Sequence, residues 1–330
     1  MKISIIVTAY NRRNYIMQAI KSIEYQNIDP SEYELIVITN FDIELNVSTG
    51  IKVSNIVMNG SIGEFLYTGI RIAKYDLIAF LDDDDVWQPA KLSKTMNVFR
   101  AYPEVVFYRN SLNYIGPDGS LFHYRRIQDI FPYHLKGLKI LCNEEVLSKL
   151  PLILTSSLEF NLSTMVVRKE VLIRRLEQLK SIVSGQDAFV FWSALDAGKV
   201  AFDDEALTLY RVHNTNVSGS LSYRSKSDEI LRQARTYQIL FDYEKSRDLI
   251  NRYVLNWLNL LNEEYFTLGI IFDNGSKKKV RAQLVKLIEY PIFMLHTMRL
   301  EVIVFAAMYV ISPKATLFLY GKLSCFARKK

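Results

Sequence analysis

Cysteine is scarce. The 330 residues hold only Cys142 and Cys325, far apart and without CxxC or other ligand spacing, so neither a disulfide framework nor a zinc site has support. A reducing compartment is the expectation. Long apolar runs are also missing: Val302 to Ile311 is the longest charge-free one near the end, and ten helical residues reach only about 15 Å, half a bilayer. Extending it backward meets Glu301, Arg299, His296 and Glu289, which argues against a spanning helix. The strand-like run from Ile3 leaves no room before it for a leader, so the cytoplasm is expected. No internal repeat or low-complexity tract occurs.

Apolar residues make up 49% and charged residues 23%, enough for a large core and an accessory segment. The net charge of +6 is unevenly spread. Residues 271–330 hold eleven Lys and Arg against three acids, a net +8, while the rest of the chain sums to −2. Basicity confined to a tail points to an anionic surface meeting that tail and excludes a nucleic-acid groove spread over the domain.

The first hundred residues alternate short apolar runs with helix-period segments, the form of βα units around a largely parallel sheet. Strands are expected at 3–7, 35–38, 53–58 and 77–81, with helices opening at Asn11, as a cap, and at Gly63. A third helix is expected over 91–100, after Trp87-Gln88-Pro89. Residues 109–160 read as mixed loop, hairpin and helix covering a site. Further strands (162–168, 200–202, 207–210) and helices (170–179, 187–197, stopped by Gly198) follow. From Ser225 the pattern is helical, in two long segments parted by Asn274-Gly275-Ser276.

Asp82-Asp83-Asp84-Asp85 follows a buried strand directly. Four aspartates in isolation are a solvated charge run, but the carboxyl end of a strand is where open α/β sheets bind ligands. In extended chain Asp82 and Asp84 point the same way, roughly 6 to 7 Å apart, a gap that a divalent ion or metal-bound diphosphate bridges. Crowded carboxylates call for a hard, oxygen-seeking cation, Mg²⁺ or Mn²⁺. Asp187, after Gly185-Gln186, sits where Asp commonly caps a helix.

Three segments in order, Ser4-Ile-Ile-Val-Thr-Ala-Tyr-Asn-Arg12, Gly69 through Asp82-Asp83-Asp84-Asp85 to Trp87-Gln88-Pro89, and Tyr210-Arg-Val-His213, resemble the signatures of family 2 glycosyltransferases of the GT-A fold. The resemblance spans about residues 1–215 and implies a mixed, mainly parallel α/β sheet flanked by helices, over residues 1–220, with a helical C-terminal region at 221–330. It implies a hexosyltransferase-like enzyme moving a sugar from a nucleotide diphosphate to an acceptor hydroxyl in polysaccharide, lipid-linked or protein glycan assembly. Asp82-Asp83-Asp84 match the family's DXD motif: Asp84 and Asp82 are the implied metal ligands, with His213 beside the metal and phosphates. Thr8, Ala9, Tyr10, Asn40, Asp82 and Asp83 are the implied nucleotide-sugar residues, and Asp187 is the implied general base of an inverting single displacement. Arg211 is left between a phosphate contact and a surface residue.

Three positions depart from the pattern: Asn40 stands in a turn usually rich in Asp, Leu66 where an Arg is frequent, and Gln186 where a Glu commonly precedes the catalytic Asp. They leave open a catalytically impaired nucleotide-sugar-binding or scaffold protein. A nucleotidyltransferase would carry a Gly-rich basic loop where this chain has Thr-Ala-Tyr-Asn, and a glycosidase would leave the nucleotide pattern without purpose. The Gln-x-x-Arg-Trp motif of processive members is missing, so one sugar per turnover is expected. Tyr290 to Lys330 suits either a helix lying on an anionic membrane, peripheral to its inner face, or a helical cap packed on the domain.

Overall fold

The computed structural model describes residues 1–47, 50–121, 136–146, 158–213, 223–247, 252–288 and 300–326. They form two compact units. The first takes the described residues up to 121 with 136–143 and 159–212; the second takes 144–146, 158 and those from 213 onward.

In the first unit β1 (Ile3–Ala9), β2 (Tyr33–Thr39), β3 (Lys52–Val57) and β4 (Leu77–Asp82) are parallel neighbours in the order β3-β2-β1-β4. Unbroken Ile, Val and Leu runs suit β1, β2 and β4 because helices cover both faces. The helices are α1 (Ile16–Glu24), α2 (Ile62–Ile72) and α3 (Lys91–Ala101). Ile16, Ile20 and Ile23 of α1 join Leu92, Met96 and Phe99 of α3 against Ile5, Val7, Leu35 and Leu81. Across the sheet, α2 approaches so closely that a Cβ on Gly69 would stand 3.0 Å from the Ile6 side chain.

Two helix starts differ from expectation. Helix α1 begins at Ile16 behind Tyr15 with no side-chain cap, whereas Asn11 adopts a left-handed φ of +56° and its N–H donates to Asn40 Oδ1. Asparagine tolerates that conformation, and its amide is better satisfied across the strand ends than at a helix several residues away. Helix α2 begins one residue before Gly63, because Ser61 and Glu64 form a reciprocal capping box.

Strand β5 (Val86–Trp87), β6 (Val105–Ile115), β7 (Lys139–Leu141), β8 (Met165–Arg168) and β9 (Lys199–Arg211) extend the sheet as β4-β8-β6-β9-β5, with β7 also on β9. Their pairing is antiparallel except for β6 with β9, so the sheet is mixed. The two expected strands at 200–202 and 207–210 are one. Its register slips against β6 around Asp203-Asp204-Glu205, where the acids turn outward and the ladder continues. The expected helix at 170–179 is two short ones, α4 (Lys169–Ile173) and α5 (Leu176–Lys180), and α6 (Gln186–Ala197) ends at Gly198 as expected. Of the expected covering region, residues 122–135 and 147–157 lie outside the described residues.

The second unit contains α7 (Tyr223–Lys245), α8 (Arg252–Phe272), α9 (Lys277–Ile288), α10 (Leu300–Ile311) and α11 (Pro313–Phe326) among the described residues. The expectation of two long segments is therefore corrected: the break at Asn274, with φ of +55°, is real, but each side holds more than one helix. Helices α7 and α8 pair as a hairpin, the Tyr237 and Tyr265 rings meeting at a tilt with centroids 5.1 Å apart and Asn262 donating to Gln238. Helices α8, α9 and α10 share Ile271, Val280, Ala306 and Tyr309. No helix among the described residues is long and apolar enough to cross a membrane.

Candidate active site

Strand register gathers the expected nucleotide residues at one edge. Thr8 pairs with Asp82 across β1 and β4, Ala9 with Thr39 across β1 and β2, and Asn40 follows β2 directly. This is the carboxyl end of the parallel strands, where the sheet's order reverses around β1. Thr8 and Ala9 are buried, so the outward group is Tyr10, 58% exposed, with its ring 6.2 Å from that of Phe65. Asn40 is engaged with Asn11: it accepts the Asn11 N–H at 2.8 Å and donates to Asn11 Oδ1 at 2.7 Å. Leu66 is completely buried on α2 and packs in the core, which explains why this chain places no cation there.

The four aspartates adopt a turn. Asp82 ends β4, Asp83 and Asp84 form the bend, and the Asp85 N–H donates to the Asp82 carbonyl at 3.2 Å. The extended geometry assumed for Asp82 and Asp84 does not hold, because a reversal gathers the carboxylates where a pleat would have spaced them. Asp83 and Asp84 are nearly buried and both pair with Arg12, whose Nη1 lies 2.7 Å from Asp84 Oδ2 and whose Nε and Nη2 grip Asp83. Asp85 points inward, accepting the Arg211 N–H at 3.0 Å and Asn161 Nδ2–H at 2.9 Å.

Burial dominates the ionisation of this turn. It pushes the Asp83 carboxyl up to about 6 against the pull of Arg12, and Asp85 up to about 7, with Asp84 adding repulsion. Asp82 rises well above the carboxylate range, first through burial and then through Asp85, Asp84 and Asp83. Burial would lower the Arg12 guanidinium, but the Asp83 hydrogen bond and the aspartate charges raise it overall.

Arg211 is not a surface residue. It is buried, with Nε donating to the Asp84 carbonyl at 2.8 Å, Nη1 to the Gly116 carbonyl at 3.0 Å and Nη2 to Gln18 at 2.7 Å, over the Tyr15 ring. Under the turn lies Lys91, completely buried, its ammonium on Asn110 Oδ1 and over the Trp87 ring. Burial drives its pKa well below the usual lysine value.

Asp187 lies in the first turn of α6, where Gly185, at φ +73°, is the N-cap. The capping role therefore does not belong to Asp187, whose Oδ1 instead accepts the adjacent Ala188 N–H. Arg109, fully desolvated, is lowered to about 10 by burial, opposed by the charges of Tyr114 and Asp187, and donates to the Phe160 carbonyl. One segment thus braces both acidic positions. Phe160 meets Arg109, Asn161 holds Asp85, and Ser163 Oγ accepts the Asp82 N–H at 2.9 Å. Neither this brace nor Arg12's part was visible as a pattern; Ser163 lies in a stretch expected only as a strand, and Asn161 just before it. His213 falls in the second unit, two residues beyond β9.

Crowded oxygens in a low-dielectric turn are the donor chemistry of a hard divalent cation held by one or two carboxylates and completed by substrate phosphates. The residues fit such an ion. Among the described residues no three His, Cys, Asp or Glu side chains are arranged to hold a metal by themselves.

A mixed sheet with an aspartate turn on its carboxyl edge, flanked by helices, is similar to the fold of GT-A glycosyltransferases. Residues 4–152, a little under half of the chain, match the model of glycosyl transferase family 2. It is 27% identical over 244 residues to an uncharacterized glycosyltransferase of Nostoc sp., covering 71% of this chain and 72% of that one. An uncharacterized glycosyltransferase of Haemophilus influenzae is 30% identical over 110 residues, 32% of this chain and 37% of the relative. Among solved structures, residues 1–349 of S. aureus TarS in complex with UDP-GlcNAc align with a TM-score of 0.57 at 13% identity, covering 95% and 89% of the two chains. A mannosyltransferase from Pyrobaculum calidifontis in complex with GDP-Man and Mn²⁺ aligns at 0.51 and 14%, covering 95% and 88%. At such identities these two speak for the fold.

Proposed function

We propose that this glycosyltransferase transfers one sugar, with inversion, from a nucleotide diphosphate sugar to an acceptor hydroxyl on a glycan or lipid-linked glycan, in the presence of Mg²⁺ or Mn²⁺. The observation that carries the reading is the buried aspartate turn set beside the end of β1. The nucleotide sugars in the two aligned structures, and Mn²⁺ in one, support the donor class and the cofactor.

Asp84 and Asp82 would hold the cation, which when bound supplies positive charge against that building on the departing diphosphate. The strand end at Thr8 and Ala9, the Tyr10 ring and Asp83 line the nucleotide side. Asn40 keeps one N–H and one lone pair beyond its Asn11 bonds, and these are what it offers to a base edge. Arg211 fixes the Asp84 backbone from beneath. Asp187 takes the acceptor proton as the hydroxyl attacks the anomeric carbon; the carbon–oxygen bond to the diphosphate breaks on the opposite side. Asp187→Asn is expected to bind donor as wild type does and to lose transfer by about 10² to 10⁴-fold. Transfer at the wild-type rate by this variant, measured as released nucleoside diphosphate per acceptor glycosylated, would remove the base assignment.

A further inference from the structure

The second unit leaves a set of large apolar side chains uncovered. On α10, Val304, Met308 and Ile311 recur at i, i+4 and i+7, so they share one face, and all three are exposed, Ile311 at 78%. The opposite face of the same helix, Val302, Ala306 and Tyr309, is buried in the core shared with α8 and α9. Helix α11 follows after one residue and exposes Phe318 at 61% and Leu319 at 45%, one turn beyond exposed Lys314. Burying one apolar face while exposing another of this size is unfavourable in water and marks an interaction surface.

The charge beside this face identifies what it meets. Lys277 Nζ donates to the Ile311 carbonyl at 2.9 Å, an acceptor left over at the end of α10. That bond pins the start of α9 to the corner between α10 and α11. Lys277, Lys278, Lys279, Arg281 and Lys286 are all exposed on α9, so a basic helix begins where the most exposed isoleucine among the described residues stands. Neither α10 nor α11 is long enough to span a bilayer, at 12 and 14 residues. Short helices with an apolar corner, flanked by lysines, suit the boundary between headgroups and acyl chains, where the apolar groups enter and the ammonium groups stay with the phosphates.

We propose that the α9–α10–α11 corner, with Ile311 and Phe318 as its apolar anchors and Lys278 and Lys314 among its cations, docks the chain onto a bilayer rich in anionic lipid. The net +8 of residues 271–330 supplies the charge complementarity. This surface does not depend on the sugar chemistry of the first unit, and the test separates the two.

The full chain is mixed with phosphatidylcholine vesicles and with vesicles containing phosphatidylglycerol, and sedimented. Binding is expected to the anionic vesicles alone, and to fall steeply as salt is raised. Ile311→Glu with Phe318→Glu, and separately Lys278→Glu with Lys314→Glu, are each expected to weaken partition by roughly tenfold or more. These positions are exposed, so circular dichroism should match wild type, and nucleotide-sugar-dependent thermal shifts should persist in every variant. Equal sedimentation of the variants, or no preference for anionic vesicles, overturns the proposal. A dimer in light scattering that Ile311→Glu dissociates, without vesicle binding, would make the face a contact between copies and also overturn it.

Discussion

At the scale of single residues, the four aspartates that look equivalent in the chain divide into different tasks. Asp85 is spent inward on the Arg211 N–H and Asn161, whereas Asp83 and Asp84 turn to Arg12. Asp85→Ala should strand two buried donors and cost about 2 to 4 kcal/mol in urea unfolding. Arg12→Ala should lower the melting temperature in EDTA, by leaving Asp83 and Asp84 without their counter-charge, and Mn²⁺ should restore much of the loss. An Arg12→Ala melt that is unchanged in EDTA would mean the pair contributes nothing. The positions of the aspartates after β4 and of Asp187 at the start of α6 were legible, because a buried strand running into acids and a Gly followed by a helix are local patterns. It could not apportion the aspartates, since their partners Arg12, Asn161 and Arg211 come from distant parts of the chain.

At the scale of elements, helix α2 is set closely against the backbone at Leu179 and Ile182. A Cβ on Gly63 would meet the Ile182 carbonyl oxygen at 2.6 Å and a second carbonyl, that of Leu179, nearer still, and backbone atoms there cannot yield. Gly63→Ala is expected to cost about 1 to 3 kcal/mol, read from chemical denaturation, and Ser61→Ala about 1 kcal/mol through loss of the capping box. Strands β1, β2 and β4 were legible as mainly apolar runs. Strand β9 was not, because the outward acids at 203–205 interrupt its apolar pattern while the backbone ladder continues on either side of a register slip. The helical tail was legible as helix but not as five of them among the described residues, since the sequence between them carries little Gly or Pro signal beyond Asn274-Gly275, Pro291 and Pro313.

At the scale of the whole molecule, ionisation of the turn should couple stability, pH and metal. Folded Asp83 and Asp85 titrate near 6 and 7, above the ordinary value of 3.8, so the folded state holds protons that the unfolded chain has released. Without metal, Asp83 and Asp85 therefore cost stability progressively as pH rises from about 4 to 7. A divalent cation competes with those protons, so Mn²⁺ should raise the melting temperature more at pH 8 than at pH 5.5. An equal rise at both would place the ion elsewhere. The central claim is that the turn at Asp82–Asp84 binds a nucleotide diphosphate sugar through a divalent cation. Calorimetric titration of UDP-, GDP- and dTDP-sugars into wild type and Asp84→Ala, each with Mn²⁺ and with EDTA, tests it most directly. The account predicts that at least one donor binds wild type with Mn²⁺ and that EDTA or Asp84→Ala abolishes this binding; equal donor affinity in all of these conditions would contradict it.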